Sequence, residues 1–138
     1  LRVMVQEHLF PVTMLTLPHL VCSVYYSVIK CHEWLCEIAH VLHRDVSLNN
    51  VMWRAKNNEV YGVLNDYDLA IMMDDHSREA SSNQRTGTRP YLARDFLCDL
   101  PPRHLPRHDI ESFVYVMVAH LSRYEQGKVI QPEPLEDW

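Results

Sequence analysis

Three oxygen-bearing side chains, Asp45, Asn50 and Asp66, stand at a spacing that suits phosphate chemistry. The first two belong to His43-Arg44-Asp45-Val46-Ser47-Leu48-Asn49-Asn50, an H-R-D followed by four residues and an Asn. Sixteen residues beyond Asn50, Asp66-Tyr67-Asp68 supplies a further acid. Phosphoryl transfer asks for such a set: one carboxylate to orient a hydroxyl nucleophile, and an Asn and an Asp to hold Mg²⁺ against the phosphates. The ion takes oxygen ligands, so amide and carboxylate are the right types. An H-R-D alone is a common accident, and Asp45 by itself would more often be a solvated loop acid or a cap. The elements around these residues must therefore carry the case.

Hydropathy patterning supplies those elements. Leu20, Val24, Val28, Leu35, Ile38 and Leu42 recur at spacings of mainly three and four, which predicts a helix over 20–42 with that stripe buried. His43 to Asn50 follows as a polar loop. Val51-Met52-Trp53-Arg54 and Val60-Tyr61-Gly62-Val63-Leu64-Asn65 read as strands, and Asn57-Asn58 suits the turn of a hairpin between them. Asn50 and Asp66 then sit at the two open ends of that hairpin and can converge. Residues 74–89 are polar and predict a mobile loop. Three prolines between Cys98 and His108 argue against regular helix there. Asp109 is placed to cap a second helix, 109–121. Its apolar residues, Ile110, Phe113, Val114, Val116, Met117, Val118 and Leu121, cover most of the circumference, the pattern of a central buried helix. A short strand is expected over 1–7.

Composition narrows the partners. With 138 residues the chain has the length of one modest domain. Thirteen Lys plus Arg against 18 Asp plus Glu leave a net charge of −5, the wrong sign for holding nucleic acid by bulk charge. None of the three glycines lies in a G-x-G or G-x-x-x-x-G-K context, which leaves no glycine-rich phosphate loop in this stretch. Cys22, Cys31, Cys36 and Cys98 follow no signal-peptide pattern and are expected to be free thiols of an intracellular protein. Leu9 to Ile29 is uncharged and long enough to span a bilayer, but Pro11 and Pro18 divide it, so no membrane partner is expected. His32, Cys36 and His40 share a helix face, with Cys31 and His43 nearby, and zinc accepts such ligands. Positions i and i+8 are about 12 Å apart along the axis, too far for one ion. Packed thiols and solvent-facing imidazoles are the plainer expectation.

The order of these pieces resembles the C-terminal, larger lobe of a protein kinase, and more narrowly the fungal-type protein kinase family. HRDVSLNNVMW, LNDYDLA, RTGTRPYLA and HDIESFVYVM carry the resemblance, which runs over nearly the whole chain. It implies an α+β, mainly helical fold: a partial kinase domain over 1–138 with a hinge strand at 1–7, a catalytic loop at 43–50 next to a β-hairpin, an activation segment at 66–95 and a central helix at 109–121. The N-terminal lobe would be absent. By resemblance Asp45 is the catalytic base, Asn50 and Asp66 are the Mg²⁺ ligands, and ATP is the phosphate donor to serine or threonine hydroxyls of a protein substrate. Asp109 would bind the backbone of the loop at His43 and Arg44 from below. The hydroxyl of Thr88 would lean on Asp45. Ser77, Ser81, Ser82, Thr86 and Thr88 are each candidate phosphorylation sites, and Arg44 could pair with such a phosphate.

Departures from that pattern matter too. Ser47 stands where such kinases usually place a Lys that touches the transferred phosphate, although the fungal-type family resembles this chain in carrying Ser. Asp68 replaces the glycine of D-F-G, Ala93-Arg94-Asp95 stands for A-P-E, and His40 falls where a glycine turn is common. No glycine-rich loop or strand lysine occurs in the stretch, so it is expected to be inactive alone. Two alternatives follow. One is a non-catalytic, pseudokinase-type binding module. The other is a small-molecule kinase of the aminoglycoside or choline type, which also uses an Asp-aromatic-acid motif but lacks a G-T-x-x-Y such as Gly87-Thr88-Arg89-Pro90-Tyr91.

Overall fold

The computed structural model describes residues 7–74, 87–132 and 134. The expected 1–7 strand therefore lies outside the described residues except for Glu7, as do Ser77, Ser81, Ser82 and Thr86. Among the described residues the architecture is α+β, with two long helices and three small antiparallel sheets.

The first strand, β1 (Phe10–Pro11), leads through a 3₁₀ turn into helix α1 (Pro18–Glu37). Pro18 sits in the first turn, where a missing N–H costs nothing. The helix buries Val21, Val24, Tyr25, Val28 and His32 on one face. It ends at Glu37, short of the expected Leu42. His40 adopts φ 53, the left-handed conformation that a glycine takes without strain, and turns the chain. Val41–Leu42 then form strand β2, which pairs with Ile71–Met72, a distant strand that no local periodicity reveals.

The hairpin comprises β3 (Val51–Lys56) and β4 (Glu59–Leu64), in register from Val51↔Leu64 to Lys56↔Glu59. Asn57 and Asn58 have φ 51 and 66, so the two-residue turn is of the I′ kind that matches strand twist. The ladder is longer than the sequence suggests because this turn pairs the polar ends as well. On the other edge of β3, β1 completes a three-stranded sheet, and the Trp53 indole donates to the Pro11 carbonyl at 3.0 Å. Helix α1 lies directly on β4. A Cβ on Gly62 would stand 2.2 Å from the Val24 carbonyl oxygen, so only a glycine permits the approach. Ile71–Met72 is β5.

Helix α2 runs from Pro106 to Arg123, starting one turn earlier than expected, because Pro106 is accommodated at its first position. Asp109 is therefore not the cap; Leu105 is, and its N–H is taken by the His108 imidazole at 3.1 Å. The helices run antiparallel. Tyr25 bonds His120 near one end (3.0 Å), and the His32 ring meets Phe113 near the other (5.5 Å between centroids). Burial raises the Tyr25 phenol and lowers the His120 imidazole, so the pair is neutral. Phe113 and Val116 of α2 join Val24 and Val28 of α1 and Val51 of the hairpin in one core. The expectation of burial on all sides fails for α2: Ile110, Val114, Val118 and Leu121 are exposed. Strands β6 (Tyr124–Glu125) and β7 (Lys128–Val129) close the described chain. Among the described residues no helix is long and apolar enough to cross a membrane.

Candidate active site

Two ladders frame the polar loop 43–50. The chain enters it from β2 and leaves into β3, while residues 65–70 run from β4 to β5. Each ladder thus delivers one end of both segments to the same place. His43 fastens them. It is fully buried, and burial pushes its imidazole pKa down, so it is neutral at pH 7. Nε2–H donates to the Asn65 carbonyl at 3.0 Å, and Nδ1 accepts the Asp45 N–H at 3.3 Å. The Tyr67 ring packs edge-on against it, with centroids 4.8 Å apart. From the other end of the loop, the Asn50 carbonyl accepts the Asn65 N–H at 2.9 Å. Asp66 is the next residue, so it is carried to the loop by hydrogen bonds from both of the loop's ends.

Asp45 is the centre of the polar contacts. Its Oδ1 accepts both the N–H and the hydroxyl of Thr88, each at 2.8 Å. Its Oδ2 is 3.3 Å from the Asn50 amide nitrogen, which also donates to the Asp45 carbonyl at 2.9 Å. Gly87 makes the Thr88 contact possible. It has φ 115, and a Cβ there would lie 2.8 Å from Leu92 Cδ2 and 3.1 Å from the Arg44 carbonyl. Asp66 is exposed and adopts φ 63, a conformation Asp tolerates better than most residues; its Oδ1 accepts the Asp68 N–H at 3.3 Å. Arg44 also holds a left-handed φ, 69. Non-glycine residues in that region concentrate at functional sites.

Asp109 underlies the loop. It is 1% exposed and takes four donors. Oδ2 accepts the His43 N–H (3.1 Å) and His32 Nε2–H (2.9 Å); Oδ1 accepts the Arg44 N–H (3.2 Å) and His104 Nε2–H (2.7 Å). Burial works to raise its pKa. The hydrogen bonds and charge of His104 and His32 outweigh that and hold the carboxyl well below the usual carboxylate range.

The structure thus brings Asp45, Asn50 and Thr88 into direct contact, bonds Asn65, the residue before Asp66, to both ends of the same loop, and ties the His43 and Arg44 backbone to Asp109. Ser47 is 2% exposed, and its carbonyl accepts the N–H groups of Asn50 and Val51, so its backbone shapes the turn that presents Asn50. Neither a solvent-facing imidazole nor a zinc ligand describes His32. It is buried, and its Nε2–H is spent on Asp109. The neighbouring Cys36 thiol is pushed up to about 11, mainly by burial, with Asp109 and Glu37 adding to it, which makes it a poor thiolate ligand at neutral pH. His32 and His104 are the partners of Asp109 that the sequence does not reveal. They lie 77 and 5 residues from it, and neither spacing has a periodic signature.

The donor set fits Mg²⁺. An amide carries its nitrogen and oxygen on opposite arms. Because the Asn50 nitrogen is committed to Asp45, its oxygen is the arm left to ligate a hard cation, and the exposed Asp66 carboxylate is the second ligand type such an ion takes. A family model described as fungal protein kinase matches residues 2–121. No curated protein matches the chain.

Proposed function

The chain belongs to the fungal protein kinase family, and we propose on that premise that it forms the catalytic-loop portion, the C-terminal lobe, of a domain that transfers the γ-phosphate of Mg–ATP to serine or threonine hydroxyls of a protein. Asp45 acts as the base that orients the incoming hydroxyl. Thr88 and Asn50, on its two oxygens, fix the carboxylate so that it does not turn away from the acceptor. Asn50 and Asp66 hold the metal. When bound, Mg²⁺ neutralises charge on the phosphates. Asp109, His43 and the Arg44 backbone keep the loop in its left-handed turn. The observation that carries this reading is the Thr88–Asp45–Asn50 contact with Asp66 tethered through Asn65 to the same loop. The Thr88 contact also supports a protein hydroxyl over a small-molecule acceptor.

Mn²⁺ in place of Mg²⁺ tests the metal site directly. Paramagnetic broadening in the NMR spectrum should centre on Asn50 and Asp66 and disappear in Asp66→Asn. Broadening centred on other acids would overturn the assignment. Labelled-ATP transfer to a generic protein substrate gives the second arm. The 138 residues carry no glycine-rich cradle for the nucleotide, so we expect the stretch alone to show no turnover. Turnover that survives Asp45→Ala would remove Asp45 from its role. Metal binding at these residues together with an inert full-length gene product would favour the pseudokinase-type module.

A further inference from the structure

Resting on the reading of 43–50 as a catalytic loop, the geometry points to His104 as a positioning residue. It couples the segment that follows Thr88 to the carboxylate beneath the loop. Its Nε2–H is bonded to Asp109 Oδ1 at 2.7 Å, the shortest of the four bonds on that carboxylate. The flat face of the same ring lies on Phe96, with centroids 4.9 Å apart and planes inclined by 23°. One imidazole therefore touches both sides of the site.

Phe96 is well placed to be the other end of this link. It lies in a 3₁₀ turn, Arg94–Leu97, and forms a small buried cluster with Leu92 and Ala93. Leu92 is the side chain that a Cβ on Gly87 would strike, so the cluster begins where the chain presents Thr88 to Asp45. His108 braces the arrangement from the helix. Its ring meets Phe96 edge-on at 4.6 Å, and its Nε2 lies 3.3 Å from the Asp95 carboxylate, which Arg107 also holds at 2.9 Å. The contacts run from Leu92, packed close against Gly87 before Thr88, through Phe96 to His104, and from there through Asp109 to the N–H groups of His43 and Arg44. A protein acceptor resting against residues 88–97 would press on Phe96, and the His104 ring would pass that displacement to the loop carrying Asp45.

A string of contacts is not coupling until a cycle of variants shows it. The amides of His43 and Arg44 are bonded to Asp109, so their hydrogen exchange reports the carboxylate directly, with the amides of Val24 and Val28 in α1 as the global reference. In His104→Phe, which keeps an aromatic face for Phe96 and loses the N–H, exchange at His43 and Arg44 should rise about tenfold relative to the reference. His104→Gln, which can still donate, should restore most of that protection. Phe96→Ala touches no loop atom, yet should raise the same two amides by a similar factor. The double variant His104→Phe/Phe96→Ala should be no faster than His104→Phe alone. If Phe96→Ala leaves the two amides at the parental rate, or if all amides accelerate together, the coupling is refuted. Should His104→Phe fail to fold, Phe96→Ala decides alone. None of these measurements needs nucleotide, metal or turnover, so the proposal stands or falls separately from the phosphoryl-transfer reading.

Discussion

Replacing Asp109 by Ala would leave two backbone N–H groups and two imidazole N–H groups facing a void. The imidazoles of His32 and His104 can turn or change tautomer to recover part of their loss. The N–H groups of His43 and Arg44 cannot, because the left-handed turn at Arg44 fixes their direction. Each buried donor left unmade costs about 1–3 kcal/mol, so the two together cost about 2–6 kcal/mol. Removing one member of a buried charged contact costs about 3–5 kcal/mol, and the two figures agree. That is a large part of the about 5–15 kcal/mol that holds a typical domain together. Urea unfolding of Asp109→Ala at pH 7 should therefore show a loss of about 3–5 kcal/mol. Asp109→Asn retains one acceptor oxygen and should lose about half as much.

The same experiment carries its own control in pH. The folded carboxyl is held below its ordinary value of 3.8, so its contribution is complete above that value and is lost as pH falls toward the folded value. The gap between parent and Asp109→Ala should narrow as pH falls below 3.8. A gap under about 1 kcal/mol at pH 7 would mean that the four bonds on Asp109 do not hold the loop. So would a gap that widens below pH 3.8.

Three further outcomes follow from the site. Asp66→Asn should leave thermal stability within about 0.5 kcal/mol of the parent, since the side chain is exposed and Asn accepts the left-handed backbone. Asp66→Ala at the same φ of 63 should be less stable than Asp66→Asn in the same melt. Gly87→Ala should cost about 1–3 kcal/mol in urea unfolding, and the Thr88 amide should lose its exchange protection as the strained turn moves away from Asp45. Alkylation by iodoacetamide at about pH 8, followed by peptide mass spectrometry, should modify exposed Cys22 well before Cys36, whose thiol is pushed up to about 11. Equal rates at the two would show that Cys36 is not shielded.

What can be read in advance follows the range of the forces. The hairpin is legible because Asn57-Asn58 states its turn locally, and α1 because its buried stripe repeats every three or four residues. The end of α1 is not, because Val41–Leu42 leave the helix to meet β5. An apolar run cannot announce a partner that lies beyond its own window. The start of α2 is misplaced by treating Pro106 as a breaker when it occupies the one helical position that tolerates it. Around the site, Asp45, Asn50 and Asp66 are visible as chemical types at a known spacing. Ser47 is visible in the sequence only by its place in the motif; its burial and its backbone turn at Asn50 are not. The donors on Asp109 come from α1, from the loop and from the segment before α2, and only folding brings them together.

Gly62 sets a mechanical condition on this site. Because the contact there is backbone against backbone, the spacing between hairpin and helix at Val24 does not depend on which side chains fill the rest of the core. The helix is pinned at that point as a beam is at a fulcrum. Swelling or shrinking the core elsewhere can tilt α1 but cannot lift it. His32 lies two turns further along, a lever arm of about 12 Å, so each degree of tilt carries its ring about 0.2 Å across Asp109. Core substitutions at the His32 end of α1 should thus be felt at the loop, while those beside Gly62 should leave the loop still.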